Sequence, residues 1–333
     1  KIGYRYDFTF KGEYPAHKGV VMAVYDSETG KLVASDYERW SNEISLQYEA
    51  EKSIDYLVGV YSIAWTATGD YALTEVTGKK SRHYQVELSS GEMEPVEPGD
   101  CIIGAFGARE ATLEGVGSYA AVTSNRMHAL TAAGLLGRFT SFSIMLSRPM
   151  SLVYRGHIVR DSRKVTMGDF ALRSANTEYS VPTILIMGMS MAAGKTVTGR
   201  RICEIMSASG YRVIGTKLTG AGRYRDFASF RKSGAREIYD FVDVGLPSTI
   251  APEDEFRAAI RHLLGHVDSR KPDFVVAEAG ASPLEPYNGA AAMDELGDNI
   301  VCTILCASDP YAVLGVQTAF GETSKPDVVA GPA

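Results

Sequence analysis

The residues with the most telling chemistry lie in one short run, GMSMAAGKT, from Gly188 to Thr196, which follows the apolar segment PTILIM and precedes a stretch with helical spacing. A strand that turns through glycine into a helix aims the free N–H groups of the first helical turn, and the positive end of the helix dipole, at one point. That arrangement suits a phosphate. Gly188 permits the sharp exit from the strand, and Gly194 lets the backbone approach an anion closely. Lys195 is placed to meet the β and γ phosphates, and the Thr196 hydroxyl to ligate Mg²⁺. Gly188, Ser190, Ala193, Gly194, Lys195, Thr196 and Val197 form the candidate nucleotide cradle, with ATP and Mg²⁺ as the expected cofactors. No Asn-Lys-x-Asp run follows a later strand, which favours ATP over GTP.

Two further polar residues close apolar runs downstream. YRVIGTKLTG ends in Lys217, followed by Thr219 and Gly220, and DFVVAEAGASP carries Glu278 at its C-terminal end. A carboxylate at the end of a strand near the phosphate loop can bind Mg²⁺ directly or through water. In CASDPYAVLGV, Asp309 reads as a helix N-cap with Pro310 at the first helical position.

Five residues separate Gly188 from Gly194, where the common P-loop has four. This variant resembles the loop of dethiobiotin synthetase and its relatives, which include cobyrinic acid amidases and an uncharacterised set of P-loop proteins with an extra N-terminal domain. The resemblance covers roughly Thr183 to Ala333. It implies that Lys217 holds a substrate carboxylate or the transferred phosphoryl group, giving Lys195, Lys217 and Glu278 as the catalytic set. It also implies a carboxylate on Mg²⁺ after the second strand, where AGRYRDFASFRKSGAREIYDFVD offers Asp226 first and Asp240 and Asp243 behind it. Asp226 is favoured because Gly220, Gly222, Arg223 and Arg225 suit a loop facing phosphate, so the metal set is Thr196, Asp226 and Glu278. EAGAS is similar to the acidic residue and small neighbours of that group. The loop residues Met189, Ser190, Met191, Ala192 and Ala193 depart from the polar Thr-Asp-Thr often found in dethiobiotin synthetase, so a side chain touching the acceptor differs here. The resemblance also implies a homodimer or higher homo-oligomer.

The elements that must position these groups follow from periodicity. From residue 182 to 333, continuous apolar runs alternate with helix-length stretches: PTILIMG, a helix over 195–209, YRVIGT, a helix over 227–234, DFVDVG, a helix over 252–267, DFVVAE, a helix over 290–296, NIVCTILC, a helix over 311–320, and DVVAG. That rhythm predicts a doubly wound α/β domain with a parallel sheet buried on both faces. Residues 1–171 instead alternate short β-branched runs with turn clusters such as Asp26 to Lys31 and Thr77 to Lys80, the pattern of a mainly β domain. Helical spacing recurs there over 53–64 and 125–136. The polar segment 172–181, LRSANTEYSV, reads as a linker. A strand directly before Ala333 points to a helix beyond it.

The remaining candidates are weaker. Gly104, Gly107 and Arg109 form a glycine-rich stretch of the kind that touches ligands, too general to name one. His262 and His266 share a helix face without a third metal ligand, and Trp40 and Trp65 read as packing residues. Cys101, Cys203, Cys302 and Cys306 read as free buried thiols. A net charge of −6 over 333 residues disfavours nucleic acid or an anionic membrane as partner. No apolar run reaches the roughly 18 residues of a membrane span, and the start lacks a signal-peptide core, which places the chain in the cytoplasm. The reading of best fit is an ATP- and Mg²⁺-dependent, ligase-like enzyme that phosphorylates a small carboxylate so that an amide or ring C–N bond forms, the β-rich half binding the substrate. A small-molecule kinase uses nearly the same residues, and an NTP-hydrolysing switch or metal-insertion accessory protein is the third possibility.

Overall fold

The computed structural model describes residues 66–88, 90–111, 114–160, 163–189, 193–280, 285–320 and 325–331, without the side chains of Asp226 and Phe320, and the backbone of five earlier strands. The chain divides into two compact units. The first holds residues up to Val86, then Glu94–Ala108 and Gly117–Asp169; the second holds Glu87–Met93, Arg109–Val116 and Phe170–Ala333.

The early strands are β1 (Tyr4–Lys11), β2 (Val20–Tyr25), β3 (Leu32–Glu38), β4 (Glu43–Ala50), β5 (Leu57–Gly59), β6 (Tyr71–Thr77), β7 (Gln85–Glu87), β8 (Met93–Pro95), β9 (Cys101–Phe106), β10 (Ala108–Ala111), β11 (Gly115–Ser118), β12 (Arg126–Ala129), β13 (Leu135–Phe142), β14 (Ser151–Arg160) and β15 (Arg163–Lys164). β1 pairs with β4 and β7 with β8; the others join one sheet in the order β10-β11-β13-β9-β6-β14-β5-β2-β3, with β12 pairing to β13 and β14, and β15 to β14. Val76, Phe106, Leu136 and Leu152 are fully buried and anchor the core of the first unit. Gly104 has a packing reason: a Cβ there would lie 2.3 Å from the Gly134 carbonyl oxygen.

Three expectations for this half are corrected. The stretch 125–136 is no helix: Met127 and Ala129 face inward on β12, and Gly134, with φ of 85°, turns the chain into β13. Apolar residues on both sides of a tight turn imitate helical spacing. Within 53–64 the described part, Leu57–Gly59, is a strand. Thr77 to Lys80 does turn, but β6 pairs with β14 and β9, not with the strand that follows the turn. Asp26 to Lys31, His17, Trp40 and Trp65 lie outside the described residues, although β2 and β3 on either side of the first of these pair antiparallel.

The second unit alternates strand and helix: β16 (Thr183–Gly188), α1 (Lys195–Ala208), β17 (Val213–Thr219), α2 (Tyr224–Lys232), β18 (Glu237–Asp240), α3 (Glu253–Ser269), β19 (Phe274–Ala279), α4 (Gly289–Leu296), β20 (Ile300–Cys306), α5 (Pro310–Phe320) and β21 (Val328–Ala330). The strands form one sheet in the order β18-β17-β19-β16-β20-β21, and every neighbouring pair is parallel. Both faces are covered. Leu185, Ile214 and Val275 pack with Phe256, Ile260, Leu263, Ala292 and Val316 of α3, α4 and α5, while Ile186, Val213 and Val276 pack with Cys203 and Phe230 of α1 and α2. The Phe230 ring is seated between two glycines, since a Cβ on Gly199 would lie 2.2 Å from it and one on Gly215 2.9 Å. Those two residues let α1 and α2 lie close to each other and to the sheet.

The expected rhythm holds with one shift. The third strand is Glu237–Asp240, and the apolar run after Asp240 folds under as turns, with Phe241 and Val244 buried there. At α5 the Asp309 carboxylate accepts the Ala312 N–H at 3.0 Å, the expected N-cap. Residues 172–181 contain no helix or strand but are not a free tether. Ser174 donates its N–H to His262 Nδ1 at 3.3 Å, the Ser180 N–H and hydroxyl reach Asp268 at 2.9 and 2.8 Å, and the Asn176 carbonyl lies where a Cβ on Gly265 would be.

Candidate phosphate and metal site

The site is built at the C-terminal ends of β16, β17 and β19. β16 runs out at Gly188, and α1 begins at Lys195 after Gly194, whose φ of 96° requires glycine or a strained residue. Among the described residues a Cβ at 194 would meet nothing within 4 Å, so this glycine serves the turn rather than a close contact with them. Gly188 acts differently. A Cβ there would fall 2.7 Å from Cγ and Cδ of Lys195 and 2.9 Å from its Nζ, so the lysine chain lies folded across the bare backbone at the strand end. Lys195 is therefore 8% exposed, and Ala193 beside it is buried. Burial pushes the Lys195 ammonium below its ordinary range, Glu278 opposing that and the charge of Lys217 adding to it.

The neighbouring strand end supplies the carboxylate. Glu278 stands level with Ile186 on one side and with Lys217 on the other. It is 5% exposed and accepts the Thr196 hydroxyl at 3.2 Å. The first-turn hydroxyl and the β19 carboxylate thus present oxygens to one spot beside the lysine that lies over Gly188. Hard oxygen donors of this kind would suit Mg²⁺. Among the described residues there is no group of three or more His, Cys, Asp or Glu side chains that could hold a metal ion by themselves.

Lys217 is 9% exposed, and its chain runs between two glycines: Cε would be 3.5 Å from a Cβ on Gly220 and 3.2 Å from one on Gly280. It is not a solvated lysine at a strand end. Gly280 is also held by the Thr219 hydroxyl, which donates to its carbonyl at 2.8 Å, and Gly220 by Thr249, whose hydroxyl accepts the Gly220 N–H at 2.9 Å and donates to the Tyr287 carbonyl at 2.8 Å. Asp226 lies within α2, and its side chain is outside the described residues, as are Ser190, Met191 and Ala192 of the loop. The first turn of α2 does not face open space: Glu87 accepts the N–H groups of Tyr224, at 3.1 Å, and Arg225. Asp240, an alternative to Asp226, sits at the end of β18 on the far side of Lys217 from Glu278. Val197, placed in the cradle by the sequence, projects from α1 at 66% exposure.

No protein-family model matches the chain, and no curated protein matches it. Among solved structures it is similar to the kinase domain of the Escherichia coli tyrosine kinase ETK, at 15% identity over 45% of this chain and 67% of that one, with a TM-score of 0.34. It is also similar to the signal recognition particle receptor FtsY from Elizabethkingia anophelis in complex with GDP, at 15% identity, 49% and 52% coverage and a TM-score of 0.33. Chloroplast FtsY from Physcomitrella patens gives 15%, 46%, 53% and 0.31. The chain thus spans between about half and two thirds of the length of these structures. At such scores none of them decides what this chain does.

Sequence reasoning missed one charged neighbour. Glu285 lies close enough to Lys195 to act on its charge, and it follows Glu278 by seven residues, with no spacing rule to mark it. The other weak candidates resolve structurally. His262 is engaged by Ser174, His266 stacks edge-on to Tyr239 at 4.8 Å, Arg109 pairs with Glu114, and the four cysteines are free. Among the described residues no helix is long and apolar enough to cross a membrane.

Proposed function

We propose that the second unit binds a Mg²⁺–nucleoside triphosphate, ATP in preference to GTP, and transfers its γ-phosphoryl group to an oxygen of a small carboxylate, activating it for C–N bond formation. The observation that carries this reading is the meeting of Thr196 and Glu278 at 3.2 Å, beside a lysine folded over the glycine at the end of β16. Gly194 and the N-terminus of α1 hold the phosphates, Thr196 and Glu278 the cation, and Lys195 the β and γ oxygens. The cation supplies charge neutralisation on the transferring group. Lys217, lodged between Gly220 and Gly280, faces the acceptor side and aligns the oxygen that attacks. A carboxylate needs such activation because it is a poor electrophile at neutral pH; its acyl phosphate is not.

Calorimetric titration with ATP and GTP, with and without Mg²⁺, tests the first step. Mg²⁺-dependent ATP binding is expected. ADP release that rises on addition of a small carboxylate and an amine supports the ligase step, whereas slow turnover indifferent to small molecules and accelerated by a protein partner would replace it with a switch.

A further inference from the structure

Across the strand ends of the second unit runs one in-register row: Asp240 on β18 stands level with Lys217 on β17, Lys217 with Glu278 on β19, and Glu278 with Ile186 on β16. Residues level in a parallel sheet share a face, and adjacent strands lie about 4.8 Å apart. The face is that of α1 and α2, because Ile238, two residues before Asp240, and Val213, four before Lys217, belong to the cluster packed under those helices. The row reads acid, base, acid, and all three side chains are less than a tenth exposed.

We infer that Asp240 is the positioning residue for Lys217, the counter-charge that keeps its side chain aimed when the site is loaded; this rests on the nucleotide reading above. Lys217 has two carboxylate neighbours in the row. Glu278 already accepts the Thr196 hydroxyl and would hold the cation with it, which would share its negative charge away from the lysine. Lys195, the other cation nearby, repels Lys217. A buried ammonium without a counter-charge nearby is costly to hold in place. Asp240 is the group positioned to supply one, since its carboxylate stands level with Lys217 and, beyond the Val242 N–H that Oδ1 accepts at 2.8 Å, keeps acceptor capacity. Its own backbone N–H is tied to Asp243 Oδ2 at 2.8 Å, which fixes the turn that presents it. Burial, then the charge of Asp243, push the Asp240 carboxyl up to about 7, with Lys217 and the N–H groups of Val242 and Asp243 opposing.

The test compares wild type, Asp240→Asn, Lys217→Ala and the double variant. Expected are a Kd for Mg²⁺-ATP within ~3-fold of wild type in Asp240→Asn, a kcat lower by ~10-fold, and a double variant no slower than Lys217→Ala alone, because residues that act as one unit are not additive. Wild-type kcat rises with pH through the neutral range as Asp240 ionises, and Asp240→Asn abolishes that rise. Losses that add in the double variant, or an unchanged pH profile, overturn the inference and leave Asp240 a packing residue. Should Asp240→Asn fail to fold, Asp240→Glu retains the pH-dependent rise if the charge matters and loses it if only shape does. Wild-type protein that binds no nucleotide sinks the parent reading instead. The pair is then read from denaturant unfolding of the same four proteins: a coupling between Asp240→Asn and Lys217→Ala supports the pairing, and additive losses overturn it.

Discussion

In the first unit the Asp70 carboxylate collects Lys164 Nζ at 2.7 Å, the Ala67 N–H at 3.0 Å and His157 Nε2 at 3.3 Å, while the other nitrogen of that ring meets the Tyr154 hydroxyl. In the second unit Lys195, Lys217, Glu278 and Asp240 are comparably buried, yet no ion pair among the described residues joins Lys217 to either carboxylate of its row. The first cluster gathers its charges around one carboxylate inside the sheet. The second stands at the C-terminal ends of β17, β18 and β19 and at the start of α1. Burial alone therefore does not mark a functional site. What separates the two is place, since the ends of parallel strands are where open α/β sheets bind ligands.

The comparison breaks most sharply at Lys195. Replacing it with Ala is expected to weaken Mg²⁺-ATP binding by ~1000-fold, about 4 kcal/mol, by calorimetry, with a much smaller effect on thermal stability, because desolvation offsets most of what a buried charge contributes to a fold. The corresponding cut in the first unit, Asp70→Asn, is expected to leave nucleotide affinity unchanged and to cost about 3 kcal/mol in denaturant unfolding, since it removes the buried anion that Lys164 and His157 both face. The pH sign follows. Burial, outweighing the pull of Asp70, holds His157 below its ordinary 6.5, so the fold keeps it neutral and loses stability as pH falls from that value toward the folded one. Asp70 is held below 3.8 because its bonds to His157, Lys164 and Ala67 together outweigh burial, so its contribution survives until lower pH still. Melting curves at pH 5 and pH 8 should show the loss that His157 carries, while the part due to Asp70 appears only below pH 3.8.

Two smaller changes sharpen the boundary between holding the site and holding the fold. Gly199→Ala drives a methyl into the Phe230 ring, an overpacking expected to cost about 2 kcal/mol of unfolding free energy and to displace α1 with its lysine, so both melting temperature and ATP affinity fall. Thr249→Val removes the hydroxyl that serves Gly220 and Tyr287, at an expected cost of about 1 kcal/mol, and lowers kcat more than it alters the Kd for Mg²⁺-ATP, because Gly220 flanks Lys217 rather than the phosphate loop.

Much of the second unit was legible because a parallel sheet covered on both faces writes its strands as continuous apolar runs, and α1 announces itself through glycine, lysine and threonine at fixed spacing. The third strand was misplaced because Phe241 and Val244 are as apolar as strand residues yet are buried in turns. In the first unit, Met127, Ala129, Leu130, Leu135 and Leu136 imitate a helix because a glycine turn separates two strands that both face the core. Lys195, Thr196, Lys217 and Glu278 could be named from local pattern. Their arrangement could not, since the level at which Asp240, Lys217 and Glu278 meet is set by the register of three strands distant in sequence, and the bed beneath Lys217 is made by Gly220 and Gly280 from two different loops.

The segment 172–181 reads as a tether by composition and behaves as a strap by contact, lying along α3 through His262, Asp268 and the notch at Gly265. A protease should find this exposed stretch slow to cut, because the Leu172, Ser174, Glu178 and Ser180 amides are hydrogen-bonded. A fragment begun at residue 170 carries this strap with it, whereas one begun at 182 bares the groove on α3 and the ring nitrogen of His262 to water. The natural place to divide the chain is thus ahead of its most linker-like sequence rather than within it.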